Sequence, residues 1–472
     1  MLFKKILSLT FLIAFILTGI SQSSAQSPDT LKLSFNEFLV KALDASAELK
    51  ARQKQVAISQ TRYMEARASR FLPNANATTA HGLIPGVKAS NSDIPSDQLY
   101  LDPGLRNDWE DWAFFNQIEI SALQPLYTWG ALSNAIRAAR TGVQAALHGF
   151  ENDQRRYEFQ MFQLYQAKLL SMEMERLINE ANRTLDRSER ELFELLESGE
   201  EDLDDRDVYQ FEIFKYEFYA QADEIRENAR FVERAWRLAL GINDPNVIVR
   251  PEHSFLDAVD YKANELIFYQ QYAISGRPEV LQIESARNAA EYGIKATRAQ
   301  NYPALFLGIT AKYTYAPNRP RQMNPFITNV TNTSSLTFGF GFRQNLNFQQ
   351  MKSRTDRARE QLRQSQFALL AVRDGIRLEV ADTYKSHVVA RSRYENVLRA
   401  LDISRQWLRQ EQLDYDIGFG EILELVNALR TNLELEASHK QRTHDFNVSV
   451  ARLLNTSGMS ISSLFNQQND YE

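Results

Sequence analysis

The amino-acid sequence predicts a mainly α-helical protein with a small antiparallel β part, built as two tandem repeats. Of its 13 prolines, none lies between Pro125 and Pro245 and none follows Pro325. Because proline inside a helix costs about 3 kcal/mol, such long proline-free stretches favour long helices. Each stretch follows a short segment that alternates between apolar and polar residues, Phe115–Gln124 in the first case and Leu336–Gln344 in the second. The same layout occurring twice indicates a duplicated unit of strands followed by long helices.

The chain begins with the features of a secretory signal peptide. Lys4 and Lys5 precede the apolar run Ile6–Ile20, and small residues then lead to a predicted cleavage site before Gln26. The run is shorter than the roughly 20 residues that a membrane-spanning helix needs, so a retained anchor is the less favoured alternative. Losing residues 1–25 removes two lysines and changes the formal charge from −6 to −8. The sequence therefore predicts export, and its acidity offers no attraction to nucleic-acid phosphates.

Composition excludes several classes of protein. The chain has 472 residues and no cysteine, which excludes disulfides, thiolate metal sites, cysteine nucleophiles and an acylated N-terminal cysteine. Charged residues make up 24% and the mean hydropathy is −0.42, which does not fit a multispanning helical membrane protein. No stretch after the leader is apolar enough for a transmembrane helix. If the mature protein spans a membrane, it must do so as strands of a closed barrel.

Four pairs of segments in the two halves match in the same order, at separations of roughly 220 to 230 residues. They predict a first repeat over residues 26–241, a connector over 242–270, a second repeat over 271–456 and a C-terminal tail over 457–472. The matching pairs are Ala42–Leu49 with Ala273–Val280, Phe71–Pro73 with Asn301–Pro303, Gln124–Leu126 with Gln344–Leu346, and Leu195–Gly199 with Asp414–Gly418.

Each repeat contributes two predicted strands. In the second repeat, Leu305–Tyr315 and Leu336–Gln344 alternate between large apolar and small or polar residues over about ten positions. This pattern fits tilted barrel strands with one face on lipid and the other on water, and a soluble, half-buried hairpin remains the alternative. The alternation is weaker in the first repeat, in Asn74–Ala80 and Phe115–Gln124. The segments between the strands are rich in turn-forming residues and are predicted to be exposed loops: Leu83–Asp111 and Ala316–Ser334.

Two helices of about 70 residues follow the strands and would each reach about 100 Å. Gly199 and Gly418 are predicted to end them, because glycine permits the chain reversal. The predicted long helices are Gly130–Ser198 and Asn347–Ile417, and the returning helices are Asp205–Leu240 and Ile422–Asn455. One copy supplies too few strands to enclose a water-filled lumen and helices too long to cover themselves. Several copies must therefore combine; three would supply twelve strands, but the strand count alone does not fix the number.

Several short motifs, which occur in the same order in both repeats, resemble motifs of the TolC family of outer membrane efflux proteins, the outer membrane factors. Nearly the whole mature chain is covered, although no single motif is specific. The position of Gln344–Phe348 departs from the strand-to-helix motif. The similar segments are the repeat opening Arg277–Val280, the strand-entry residues Pro73 and Pro303, the strand-to-helix segment Gln124–Gly130, and the helical-tip segments Tyr415–Gly418 and Ile422–Ala428.

The resemblance implies a homotrimer with a twelve-stranded β-barrel in the cell outer membrane and a long α-helical tunnel across the periplasm. The periplasmic end would dock onto a periplasmic adaptor (membrane fusion) protein that serves an inner-membrane pump. The channel would be a passive conduit in a multipartite efflux or secretion system, and the pump would supply the energy.

The resemblance also implies two sets of site residues, both near the turns between long and returning helices. The adaptor-docking tips correspond to Gly199, Gly418 and Gly420. Glu424 matches a gating carboxylate at the periplasmic entrance, and Asn427 stands where some members carry a second aspartate. In the first repeat Asp205 and Asp207 are the corresponding candidates, but Asp207 follows Gly199 by about two residues more than the motif requires, so this tip is expected to be reshaped.

The first tip is strongly acidic from Glu197 to Asp207. Threefold repetition would concentrate these carboxylates at the entrance, where they would attract cations. The alternative is a solvated acidic turn that supplies negative charge to the next helix N-terminus. The aromatic residues that follow, Phe211 to Tyr219, are expected to pack between helices rather than bind a ligand.

Catalysis finds little support in the sequence. The six histidines form no zinc-binding motif, and there is no nucleophile elbow, phosphate-binding loop or dinucleotide fingerprint. The prediction is a protein that is not an enzyme, with no catalytic residues, no cofactor, no metal and no nucleic-acid partner. The alternative function is a soluble periplasmic coiled-coil scaffold or adaptor. The cargo, the class of pump, the open or closed resting state and any covalent modification stay open.

Overall fold

The computed structural model describes residues 30–95, 98–99, 102–198, 205–244, 246–319, 331–417, 419–462 and 464. The predicted signal peptide, Gly199 and Gly418 lie outside these residues. In chain order the elements are β1 (Thr30–Leu33), α1 (Phe35–Ala45), α2 (Ala47–Ala68), β2 (Asn74–Lys88), β3 (Arg106–Tyr127), α3 (Ala131–Ser198), α4 (Asp205–Ala239), β4 (Ile248–Pro251), α5 (Leu266–Gly276), α6 (Pro278–Ala299), β5 (Ala304–Tyr315), β6 (Thr333–Arg343), α7 (Phe348–Asp416) and α8 (Ile422–Thr456).

The predicted fold class is confirmed, and the four helices of the two hairpins begin and end within one residue of the predicted bounds. The order of two short helices, two strands, one long helix and one returning helix occurs twice along the chain. The boundaries predicted for the repeats, connector and tail stay predictions. Among the described residues, no helix is both long and apolar enough to cross a lipid bilayer.

A strained turn carries the chain from β3 into α3. Trp129 and Gly130 both have positive φ values, 54° and 87°. A non-glycine residue in this region costs of order 1–3 kcal/mol, so the surroundings must hold it. The Trp129 indole Nε1 donates to the Pro303 carbonyl at 2.8 Å, and Asn134 Nδ2 donates to the Gly130 carbonyl at 2.9 Å. These bonds explain how a tryptophan occupies a position suited to glycine.

The chain folds as two compact units. One comprises Met1–Ala47, Gln154–Gln270 and Glu379–Glu472, and the other comprises Glu48–Asp153 and Gln271–Leu378. The second unit contains an antiparallel sheet in the order β2-β3-β5-β6. The first unit contains the far halves of the long helices and both returning helices.

Strands β2 and β3 are longer than predicted, so the loop expected over Leu83–Asp111 is wrong at both ends. Strand β2 continues to Lys88, and β3 already begins at Arg106. An irregularity between Pro85 and Gly86 accommodates the residues that would interrupt a regular ladder. Beyond the sheet, Asn318 Nδ2 donates to the Ile84 carbonyl at 3.1 Å, which gives one end of the extension a further hydrogen-bond partner.

Two further strands were not predicted. The sequence interpretation had four strands per chain, whereas the described residues also include β1 and β4, which pair in parallel. Four residues of moderate hydrophobicity give too little alternation to be recognised. This short sheet borders the core of the first unit, where Phe38 stacks on Trp236 at 4.1 Å between ring centroids. Ile461, from the segment predicted as a tail, is buried in the same core.

A buried carboxylate ties three segments of the first unit together. Glu173 on α3 accepts from Lys440 Nζ of α8 at 2.9 Å and from Arg176 at 3.0 Å. It also accepts from the backbone N–H of Leu256, in the segment after β4, at 3.3 Å. A buried charge is tolerated when several donors surround it, so this group fixes α8 and the connecting segment against α3.

Candidate functional site

The four-stranded sheet has one apolar and one polar face. Register places Ile309 opposite Phe338 and Leu307 opposite Phe340, so large side chains of β5 and β6 share one side. Phe338 and Phe340 are 72% and 74% exposed in the single chain, which is unusual for residues of this size in water. The other face carries mostly small and polar residues such as Thr310, together with the rings of Phe115 and Phe306. The sheet therefore presents an unpaired apolar band.

Aromatic residues border this sheet at both ends. At the end near the helices, the Trp129 ring lies 5.0 Å from Tyr127 and 5.5 Å from Tyr302. At the other end, Trp109 and Trp112 lie 5.9 Å apart, and both are exposed. Tryptophan and tyrosine at the two limits of an apolar band are typical of strands that cross a membrane.

The second helical tip is a tight turn that requires glycine at position 420. The backbone N–H groups of Phe419 and Gly420 both donate to the Asp414 carbonyl, at 2.9 and 2.8 Å. A Cβ on Gly420 would lie 2.6 Å from the Tyr415 nitrogen, and this backbone atom cannot move away freely. The turn leaves Phe419 88% exposed and Ile417 65% exposed.

The two entrance residues predicted in the second repeat lie on one exposed face at the start of α8. Glu424 and Asn427 are both exposed, and they are three residues apart on the helix. Leu425 and Val426, between them, are buried against the neighbouring helices. The side chains of Glu424 and Asn427 are therefore exposed and contribute little to the packing of the helices.

The structure places Asp205 and Asp207 in the first turn of α4, but their side chains are outside its description, so the predicted grouping with Glu424 stays a prediction. Further along α4, Phe211 and Phe214 are buried and pack with Val426 of α8, as expected for helix packing. Tyr216 is 66% exposed in the single chain, so its packing between helices stays a prediction. It faces away from the cluster because one helix side cannot hold all of these rings.

Ion pairs that sequence reasoning missed join the helices of this region. Lys215 of α4 contacts Glu189 of α3 at 2.6 Å, and this hydrogen bond raises the pKa of the lysine. Arg430 of α8 contacts Glu217 of α4 at 3.2 Å, so the second hairpin is tied to the first. Pairs between separate helices have no sequence spacing that would reveal them.

The described residues thus combine a sheet with an exposed apolar face and long helices with exposed polar and apolar residues at a helical tip. Comparison with known proteins agrees. Residues 270–459 match the model of the outer membrane efflux protein family. The resemblance to the TolC family that the sequence predicted is confirmed over these residues. No curated protein sequence matches it.

Solved structures of outer membrane proteins and channels extend the likeness in fold to almost the whole chain. CusC shares 15% identity and a TM-score of 0.71, covering 94% of this chain and 96% of the other. The open-state MtrE outer membrane channel of Neisseria gonorrhoeae shares 16% identity and a TM-score of 0.69, covering 93% and 94%. VceC, an outer membrane protein of Vibrio cholerae, shares 15% identity and a TM-score of 0.69, covering 90% and 96%. At these identities the structural likeness shows the fold.

The family match and the shared fold support an outer membrane efflux channel rather than an enzyme, located in the outer membrane and extending into the periplasm. They agree with the resemblance, fold class and location expected from the sequence. The apolar band with its aromatic borders is the part of the molecule suited to the membrane.

Proposed function

We propose that three copies of this chain form a passive conduit across the outer membrane and periplasm, as the exit of a multipartite efflux or secretion system. The observation that carries the proposal is the four-stranded sheet with an apolar face and two open edges. Among the residues that the structure describes, strands β2 and β6 each pair on one side only. An open edge attracts another strand, and an exposed apolar band attracts lipid.

Strand direction supports closure by identical copies. Neighbouring strands in the order β2-β3-β5-β6 are antiparallel throughout. A β6 edge placed beside the β2 edge of another copy continues the alternation without a break. Contacts between different surfaces of identical chains form a ring when the rotation closes, and three copies give twelve strands. The polar face would then line the lumen.

The tips are proposed to dock onto a periplasmic adaptor protein that serves an inner-membrane pump. The exposed Ile417 and Phe419 support this proposal, because large apolar side chains at the end of a hairpin favour burial against a partner. Gly420 has a defined part in this surface, since it allows the turn that presents both side chains. Gly199 and Gly418 are proposed for the same surface from their positions at the two tips.

Glu424 and Asn427, with Asp205 and Asp207, are proposed to surround the periplasmic entrance. Supporting this, Glu424 and Asn427 are exposed on one face near the tip. Three copies would place a ring of carboxylates at the opening, which would raise the local concentration of cations. The Arg430–Glu217 ion pair is proposed to restrain the second hairpin when the entrance is narrow.

The experiment that tests the assembly is a mass measurement of the full mature chain purified in detergent, followed by conductance in planar bilayers. Trimers that conduct ions support the proposal. A soluble monomer that needs no detergent, or detergent-bound protein that never conducts, would overturn it.

A further inference from the structure

Phe306 of β5 lies on the polar face of the sheet, beside a glycine of β6 that leaves room for its ring. Phe306 of β5 pairs with Gly341 of β6 and therefore points to the side of Thr310, away from the apolar band. A Cβ on Gly341 would lie 2.8 Å from Phe306 Cζ, and one on Gly308 would lie 3.7 Å from its Cε2. The ring thus occupies space that a side chain at position 341 would need, whereas a Cβ at position 308 would only touch it.

The Phe306 ring makes a cation–π contact with the guanidinium group of Arg343. The Arg343 guanidinium carbon lies 5.3 Å from the centroid of the Phe306 ring, within the range of a cation–π interaction. Arg343 is exposed, and the described residues include no ion pair to its side chain. The stacked ring restricts the guanidinium without neutralising it, so its charge and its hydrogen-bond donors remain available.

Elsewhere on the polar face, the charged side chains of β3 and β5 have opposite signs. Register sets Glu119 of β3 opposite Lys312 of β5, so a positive and a negative side chain are neighbours there. Lys312 is level with Ser335 of β6, eight positions from Arg343, which corresponds to about 27 Å along a strand. Glu119 and Lys312 therefore offset each other, whereas Arg343, next to α7, lies opposite the uncharged Ala304.

We propose that Arg343, held on Phe306, forms an anion-binding collar inside the lumen at the helix-proximal end of the β-sheet. The inference rests on the proposed trimer, in which three guanidinium groups would share one level of the channel. Each has planar donors suited to carboxylates and phosphates. The collar favours the passage of small anions, and polyvalent anions slow transport by binding to it.

The test uses the full chain in planar bilayers under a KCl gradient, with Arg343 as wild type, R343K, R343Q and R343E. The chloride-to-potassium permeability ratio is expected to be similar for arginine and lysine, about twofold to threefold lower for glutamine, and lower again for glutamate. The differences should grow when the salt is reduced from 0.1 M to 0.01 M, because the Debye length rises from about 10 to about 30 Å.

A second measurement distinguishes the effect of the Phe306 ring from the effect of the charge of Arg343. Citrate is the probe, added to wild-type, R343K and F306L channels. Block by citrate should weaken in both variants while their permeability ratio stays near that of the wild type. Equal ratios for R343Q and R343E and the wild type would overturn the proposal. If R343Q does not assemble, unchanged citrate block in both R343K and F306L would overturn it. Absence of conductance in the wild type would instead refute the proposed trimeric channel.

Discussion

The tightest local constraint at the second tip is the close approach of Gly420 to the end of α7, and G420A tests it. The added methyl group would lie 2.6 Å from the Tyr415 nitrogen and 2.9 Å from the Asp414 carbonyl carbon, well below contact distance for backbone atoms. The turn must open, and the two hydrogen bonds that end on the Asp414 carbonyl are lost or lengthened. At about 1 kcal/mol each, these bonds represent about 2 kcal/mol of local stability.

Hydrogen exchange measures this loss directly. The amides of Phe419 and Gly420 in detergent-solubilised protein should exchange roughly 30-fold faster in G420A, which is what about 2 kcal/mol corresponds to. The matched control is G375A, because a Cβ at Gly375 in α7 meets nothing within 4 Å. Alanine there should stabilise the helix by up to about 1 kcal/mol. Equal amide protection in G420A and wild type would refute the reasoning about the turn.

Three further predictions concern the first unit. E173Q removes the charge of a buried carboxylate whose partners Lys440 and Arg176 are partly exposed, so urea denaturation should show about 1–2 kcal/mol lower stability, and an unchanged midpoint would contradict the account of this ion group. R430Q breaks an exposed pair and should change stability by less than about 1 kcal/mol, yet it should raise channel conductance by freeing the second hairpin; unchanged conductance counts against the proposed restraint. Burial, together with the nearby charge of Arg391, lowers the pKa of His387 in the folded protein. The free energy of unfolding should therefore be highest above about pH 6.5 and should fall as the pH drops towards the folded-state pKa. H387N should flatten this pH dependence, and an equally steep dependence in H387N would contradict the prediction.

The long helices could be predicted because their signal is redundant. Proline is absent over more than a hundred residues, and apolar residues recur at helical spacing, so both ends of α3 and α7 were located to within one residue. The strands of the second repeat were predicted for a similar reason, since Leu305–Tyr315 alternates without interruption. These features depend on local periodicity, which one sequence displays fully.

Other features depend on partners distant in the chain and left no local signal. The extension of β2 and β3 beyond Gly82 contains Pro85 and Gly86, which predict a loop, and the irregular pairing that accommodates them is visible only in the folded sheet. The ion pair between Arg430 and Glu217 joins residues 213 positions apart. Gly420 could be recognised in the sequence as a turn residue, but the spacing did not show that its amide donates to the Asp414 carbonyl.

Closure of the sheet by neighbouring copies is the central claim, and cysteine cross-linking at its edges tests it most directly. The chain has no cysteine of its own. T79C on β2 is combined in turn with a cysteine at position 334, 336, 338 or 340 on β6, all on the apolar side. Within one chain these strands are separated by two others, about 14 Å, which a disulfide cannot bridge.

The account predicts that one of these pairs links the chains into covalent dimers and trimers on oxidation in membranes. T78C, on the polar face, should give none with the same four partners, because side chains on opposite faces of a sheet point apart. Monomers from every T79C pair, or equal cross-linking from both faces, would contradict the claim that identical copies complete the barrel.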